Sequence, residues 1–143
     1  MNVLDVIKMD IKSYRLVTCF AEPEDDILFF NCQQNLEIDL PLAEELVANR
    51  LEFTKYKKHY MIQQIPPYIE INFEALQYLK DPERGLKNLK GVAYLVSNNS
   101  SVRIADDLIK GGQRKIPSQV FTSEKEALQW IKNLKEYHLI TQS

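Results

Sequence analysis

The residues that could carry chemistry are few and scattered. Ser97, Asn98, Asn99, Ser100 and Ser101 form a polar run between the apolar stretch VAYLV and a renewed apolar periodicity. Ser and Asn accept hydrogen bonds from free backbone N–H groups, so the run can simply start a helix, with Ser100 or Ser101 as its N-cap. It can also form a rim for a partner or ligand, because loops beyond the C-terminal ends of parallel strands often do so and helix amides there favour an anion. Phosphorylation of a serine is a third reading. Capping explains the run most simply, and a weak binding edge over the same five residues is its functional alternative.

Asp106 and Asp107 are adjacent acids. Neighbours on a helix point about 100° apart, so they do not form the paired carboxylates of glycoside hydrolysis. Pairing with Arg103 and Lys110 at helical spacing accounts for them. His59 and His138 are the two histidines, and neither lies in an HExxH pattern. The sequence contains no GxSxG elbow, no GxGxxG and no GxxxxGK[ST]. Gly111 and Gly112 precede Gln-Arg-Lys but follow a helical pattern, which makes them a helix stop rather than a phosphate loop. Cys19 and Cys32 sit in strand-like runs, form no CxxC pair and read as free thiols. No His/Cys pair has metal-ligand spacing. The sequence thus assigns no catalytic, cofactor or metal residue, and the expectation is a protein that is not an enzyme.

The composition fits a folded globule. Hydrophobic residues make up 45% of 143 and charged residues 27%, enough for a sizeable core and unlike a disordered chain. The net charge of −2 gives no bulk attraction for nucleic acid. The basic run Lys55, Lys57, Lys58 and His59 is short and reads as a solvated connection. No window approaches 18 apolar residues, so no membrane span is expected. The N-terminal stretch MNVLDVIKMDIKS lacks the apolar core of a secretory leader. A cytoplasmic setting with reduced thiols follows as the expectation.

The elements that must position these residues can be read in order. Residues 13–21 and 27–32 are rich in β-branched and aromatic residues, and the intervening EPEDD marks a hairpin turn with solvated acids. From Asp39 the period changes. Asp39 caps, Pro41 sits in the first turn, and Ala43, Leu46, Val47, Arg50 and Leu51 share one helical face until about Thr54. HYMIQQI (59–65) is a strand stopped by Pro66 and Pro67. Phe73, Leu76 and Leu79 suggest a short helix, Asp81-Pro82 a further turn or helix, and Gly91 its close. VAYLV (92–96) suits a strand covered on both faces. A helix follows through Val102, Ala105, Leu108 and Ile109. RKIPSQVF is extended, with Pro117 at its start or on an edge. The last helix opens with a Ser123/Glu126 capping box, buries Ala127, Trp130, Ile131 and Leu134, and leaves a short fraying tail. Trp130 belongs to the core or to the edge of a self-association surface.

The order β-β-α-β-α-β-α-β-α predicts one layered α/β domain over residues 1–143, with its core at about 13–135. Its sheet is mixed and mostly parallel, with an N-terminal antiparallel hairpin and packed helices. GVAYLVSNNSSVRIADDLI and IPSQVFTSEKEALQWIKNL resemble the SpoIIAA-like, or STAS/SEC14-like, group of small bacterial proteins. The resemblance implies a sheet of four or five strands with packed helices, and many such proteins are anti-sigma-factor antagonists with a phosphoacceptor Ser or Thr between a strand and the next helix. The matching connection here, PPYIEINF (66–73), contains neither Ser nor Thr, so that switch is not carried over. Other relatives are lipid or small-ligand carriers. The reading is therefore a non-enzymatic STAS-like domain for protein interaction or regulation. Its alternatives are a carrier of a lipid or small apolar ligand, and a small enzyme of unknown class. The partners it allows are a second copy in a homodimer, another protein or an apolar small ligand.

Overall fold

The computed structural model describes residues 9–111 and 116–141. Residues 1–8, Gly112 to Lys115 and the last two residues lie outside them, and so do the leader reading, the second glycine of the helix stop and the start of RKIPSQVF.

Eight strands are present among the described residues: β1 (Asp10–Ser13), β2 (Val17–Ala21), β3 (Ile27–Cys32), β4 (Glu37–Ile38), β5 (His59–Ile65), β6 (Glu70–Ile71), β7 (Leu89–Val96) and β8 (Ser118–Phe121). The helices are α1 (Leu40–Phe53), α2 (Phe73–Lys80), α3 (Asn99–Ile109) and α4 (Glu124–Thr141). The main sheet has the order β1-β2-β3-β5-β7-β8. β1, β2 and β3 are antiparallel neighbours, and β3, β5, β7 and β8 run parallel. This is the mixed, mostly parallel sheet with an N-terminal hairpin and packed helices expected from the sequence.

The parallel strands follow one another in chain order, so right-handed crossovers put α1, α2 and α3 on one face. Strand alternation then separates two cores. Met61 of β5, Leu28 and Phe30 of β3 and Val92 and Tyr94 of β7 meet Ala43, Leu46, Ala75, Ala105 and Leu108 of the three helices. Tyr60 and Ile62, with Ile27, Phe29 and Ala93, turn to the other face and meet Ala127 and Ile131 of α4.

Local chemistry sets the ends. Asp39 is extended and accepts from Leu42 N at 3.0 Å, and α1 buries Ala43, Leu46, Val47, Arg50 and Leu51, the face read from the sequence. Thr54 caps the helix, and Tyr56 N reaches back to Leu51 O at 2.8 Å. That closure places Lys55 and Tyr56 in the left-handed region at φ 55 and 58, an unusual conformation for side-chain-bearing residues. α4 begins where Ser123 Oγ accepts from Glu126 N at 3.3 Å.

Several expectations need correction. Residues 13–21 are not one strand: Tyr14 N bonds Val17 O at 2.7 Å and folds the chain between β1 and β2. β4 and β6 pair in a separate parallel ladder that the sequence reading did not include. Gly91 does not close a turn but lies within β7 opposite Tyr60. A Cβ there would sit 2.6 Å from Leu134 Cδ2, so α4 packs where that side chain is missing. The tail is helical to Thr141 rather than frayed. Phe73 begins α2 but is 74% exposed, because the packed face of this short helix centres on Ala75.

The acids of the β2–β3 turn are not simply solvated. Lys135 of α4 meets Asp26 Oδ1 at 2.6 Å and Asp25 Oδ1 at 3.2 Å, and Lys90 meets Asp26 Oδ2 at 3.3 Å. Burial pushes the Asp26 carboxyl up, but the two lysines more than offset this and hold it below the ordinary carboxylate range.

Candidate functional site

The polar run lies at the C-terminal edge of the parallel strands, between β7 and α3. Its cap is Asn98, not Ser100 or Ser101. Asn98 is extended, and its Oδ1 accepts from Ser101 N at 2.8 Å. Asn caps as well as Ser does, and the helix starts earlier than its apolar periodicity, which becomes visible only at Val102. Ser97, Asn98, Asn99 and Ser100 are exposed, while Ser101 is fully buried and donates its hydroxyl to Pro66 O at 3.2 Å. The five residues therefore divide into a surface rim and one internal tie to the loop after β5. Asn98→Ala should cost about 1 kcal/mol through the lost cap. Urea denaturation should show this as a lower midpoint, with Ser97→Ala unchanged.

The loop tied to this rim carries what the sequence reading missed. Tyr68 has φ 63 and is 74% exposed, and Phe73, at the start of α2 after β6, is 74% exposed as well. Asn72 caps α2 by accepting from Ala75 N at 2.9 Å. Between this loop, α2 and α3 lies a hollow of about 330 Å³, lined by Ile69, Ile71, Leu76 and Ile104 with Glu70 and Asp107 at its polar side. PPYIEINF lacks the Ser or Thr of a phosphoacceptor, and its aromatic residues carry the surface feature instead. Tyr68 between two prolines and an alternating Ile-Glu-Ile stretch was the available signal.

Asp106 and Asp107 are both exposed. Among the described residues no ion pair joins them to Arg103 or Lys110, contrary to the expected pairing. The lysines of the basic run are exposed as expected, but His59 is buried.

The opposite edge of the sheet holds a buried polar network. Arg50 of α1 is 2% exposed. Its Nη1 bonds His59 Nε2 at 3.0 Å and Lys87 O at 2.8 Å, and its Nη2 donates to Gly85 O at 3.0 Å. His59 Nδ1 lies 2.9 Å from Lys57 O. These contacts define a neutral imidazole that donates from Nδ1 and accepts at Nε2. Burial, helped by the Arg50 charge, pushes the His59 pKa down to about 4. Burial also lowers Arg50, to about 10, so it stays charged near neutrality. His138 is held elsewhere: its Nδ1 lies 2.6 Å from the Tyr60 hydroxyl, while Lys90 sits 5.0 Å from the centre of the Tyr60 ring. The histidines are thus parts of two separate packing contacts.

Cys19 and Cys32 are free, and burial pushes both thiols up to about 12. Such thiols are protonated and weakly nucleophilic at neutral pH. Trp130 packs on Phe121 at 5.7 Å, at the margin of the second core. Among the described residues no group of three or more His, Cys, Asp or Glu is placed to hold a metal. No helix among them is long and apolar enough to cross a membrane.

The arrangement defines a layered α/β protein with a mostly parallel sheet and an aromatic rim at the strand ends. The chain belongs to the family described as a domain of unknown function (DUF7793), whose model matches residues 21–135. It is also similar to the crystal structure of an uncharacterized protein from the DUF3478 family, with a SpoIIAA-like fold, from Shewanella loihica PV-4. That likeness has a TM-score of 0.48 and 18% identity, and covers 85% of this chain and 90% of the other. A search of curated proteins finds no match.

Proposed function

We propose that this protein is a non-enzymatic, STAS-like interaction domain that works in the cytoplasm by binding another protein at the C-terminal edge of its parallel strands. The observation that carries the reading is the pair Tyr68 and Phe73, each 74% exposed. Aromatic side chains offer large contact area at low entropic cost and dominate many interfaces. The neighbouring hollow offers an apolar floor, and Glu70 and Asp107 suit a partner segment with apolar and basic residues. Ser97, Asn98, Asn99 and Ser100 extend the same rim. Their polar side chains supply hydrogen bonds around the aromatic centre. Two free thiols, Cys19 buried and Cys32 half-buried, fit a reducing compartment.

The test is a photo-crosslinking amino acid placed at Tyr68, at Phe73 and, as a control on the opposite edge, at Tyr56. Discrete adducts at the first two positions, absent at the third, should identify a protein for purification. The Kd of that purified pair should then weaken at least tenfold in the double variant Tyr68→Ser/Phe73→Ser. An unchanged Kd would remove the rim from the interface. Adducts of twice the chain's mass would replace the second protein by a homodimer.

A further inference from the structure

The short strands β4 and β6 form a parallel ladder apart from the main sheet. They carry the order of that sheet past its C-terminal edge, since β4 follows β3 and β6 follows β5. The chain leaving the next strand, β7, turns instead into α3 at Asn99, so among the described residues no third strand stands beside β6. The backbone of β6 is bonded on the β4 side. Glu70 N donates to Leu36 O at 2.9 Å, and Asn72 N donates to Ile38 O at 3.1 Å. A trans peptide points its carbonyl opposite to the N–H of the residue that follows, and no cis bond occurs among the described residues. Ile69 O and Ile71 O therefore point away from β4. Strand alternation turns Ile71 N–H the same way. No turn, loop or cap bond among the described residues uses these three groups. The hollow of about 330 Å³ lies along this strand, lined by Ile69, Glu70 and Ile71 together with Leu76 of α2 and Ile104 of α3. That volume is at the lower end of ligand pockets and admits a branched side chain. Its two charged lining residues, Glu70 and Asp107, are both acidic and both exposed.

We propose that β6 takes an extended segment of the protein partner as a third strand, with an apolar residue in the hollow and Lys or Arg on either side of it. This rests on the partner-binding reading of the aromatic rim and names the form of segment bound there. Strand addition draws affinity from main-chain bonds and specificity from alternate side chains. Ile69 O and Ile71 O accept from the segment, and Ile71 N–H donates to it. Side chains alternate between the faces of a strand, so one residue beside Ile71 enters the hollow while its neighbours share the side of Glu70. Two acids with no base among the lining residues set the charge of those neighbours. A helical segment fits less well, because its backbone groups bond within the helix and leave the strand edge unmet.

The probe is the capped heptapeptide Lys-Val-Lys-Val-Lys-Val-Lys, titrated into the isotope-labelled full chain and followed by NMR. Binding should saturate with a Kd below about 1 mM, move the Ile71 amide proton downfield and slow its exchange with solvent. The Glu-Val counterpart should bind at least about tenfold more weakly, and Glu70→Lys/Asp107→Lys should reverse that preference. Both positions are exposed, so the variant keeps the fold. Methylation of alternate peptide nitrogens separates a strand from any other bound shape. One set of N–H groups faces β6 and the other faces away, so methylating the first should abolish binding and methylating the second should not. The proposal is overturned if the Lys-Val peptide does not saturate by about 1 mM, if the Ile71 amide is unmoved, if the two methylated peptides bind alike, or if the charge preference does not reverse. The aromatic rim is judged separately. Crosslinked adducts at Tyr68 and Phe73 with an unmoved Ile71 amide would keep the rim and remove strand addition, whereas a bound peptide without such adducts would keep the strand edge and remove the rim.

Discussion

Gly85→Ala is expected to destabilise the protein by about 3 kcal/mol, at the upper end of what overpacking costs. A Cβ at this position would fall 2.3 Å from both Leu79 Cα and Leu79 O. Those are backbone atoms of α2, so no side-chain rotation can relieve the clash. The connection around Gly85 is also closely bonded. Gly85 N donates to Tyr78 O at 3.0 Å, Leu86 N donates to Asp81 O at 3.0 Å, and the Gly85 carbonyl receives Arg50 Nη2. Moving the glycine away from the helix end therefore also draws an acceptor away from a buried cation, which adds to the steric cost. The urea midpoint should drop by roughly 1 M or more with an unchanged slope. A loss below about 1 kcal/mol would mean that the 81–88 connection yields freely and that Gly85 is not required there.

The second large effect is a fall in stability between pH 6.5 and about 4. His59 is neutral in the fold, and its pKa moves from 6.5 down to about 4 because of burial and the Arg50 charge. Above 6.5 both folded and unfolded chains hold it neutral, and its contribution is complete. Between the two values the unfolded chain takes a proton that the folded chain refuses, so stability drops as pH falls. Below about 4 both states are protonated and the loss is finished. At 1.36 kcal/mol per pH unit, the span sets a ceiling of roughly 3 kcal/mol. His59→Gln can still accept from Arg50 and donate to Lys57 O, yet it has no proton to gain. Urea denaturation at pH 7, 5.5 and 4.5 should therefore show the parent losing stability faster than His59→Gln. Parallel losses in the two proteins would assign the acid sensitivity to other groups.

Much of the architecture was legible because its signals are local. Asp39, Pro41 and five residues at helical spacing define α1, and the same five residues are buried. HYMIQQI is β5 from end to end. The features that escaped have non-local causes. β4 and β6 contain two residues each, too few for any periodicity, and exist because residues far apart in the chain meet. Arg50 was placed on the correct helical face, but its acceptors at Gly85 and Lys87 are 35 and 37 residues away and give no nearby signal. The Asn98 cap escaped because five neighbouring residues have similar capping chemistry, and only the backbone selects among them. At the candidate site the sequence drew attention to Ser97 to Ser101. The exposed aromatics of the adjoining loop depend on which residues the fold leaves uncovered. Phe73 shares its spacing with Leu76 and Leu79, so pattern alone placed it inside.

Among the described residues α4 is the one helix on the second face, and this has a consequence for biosynthesis. Ile27, Phe29, Ile62 and Ala93 are covered from that side by α4, whose Lys135 closes onto Asp25, 110 residues earlier. Ribosomes add about 5–20 residues per second, so for seconds the inner strands can assemble under α1 to α3 while their other side waits bare. During that interval the nascent chain presents a greasy sheet surface with the chemistry that chaperones grip and that drives aggregation. Yield in a cell is then governed by the docking of the last helix, and shortening the chain before Glu124 should give an insoluble product even though every strand has already been made.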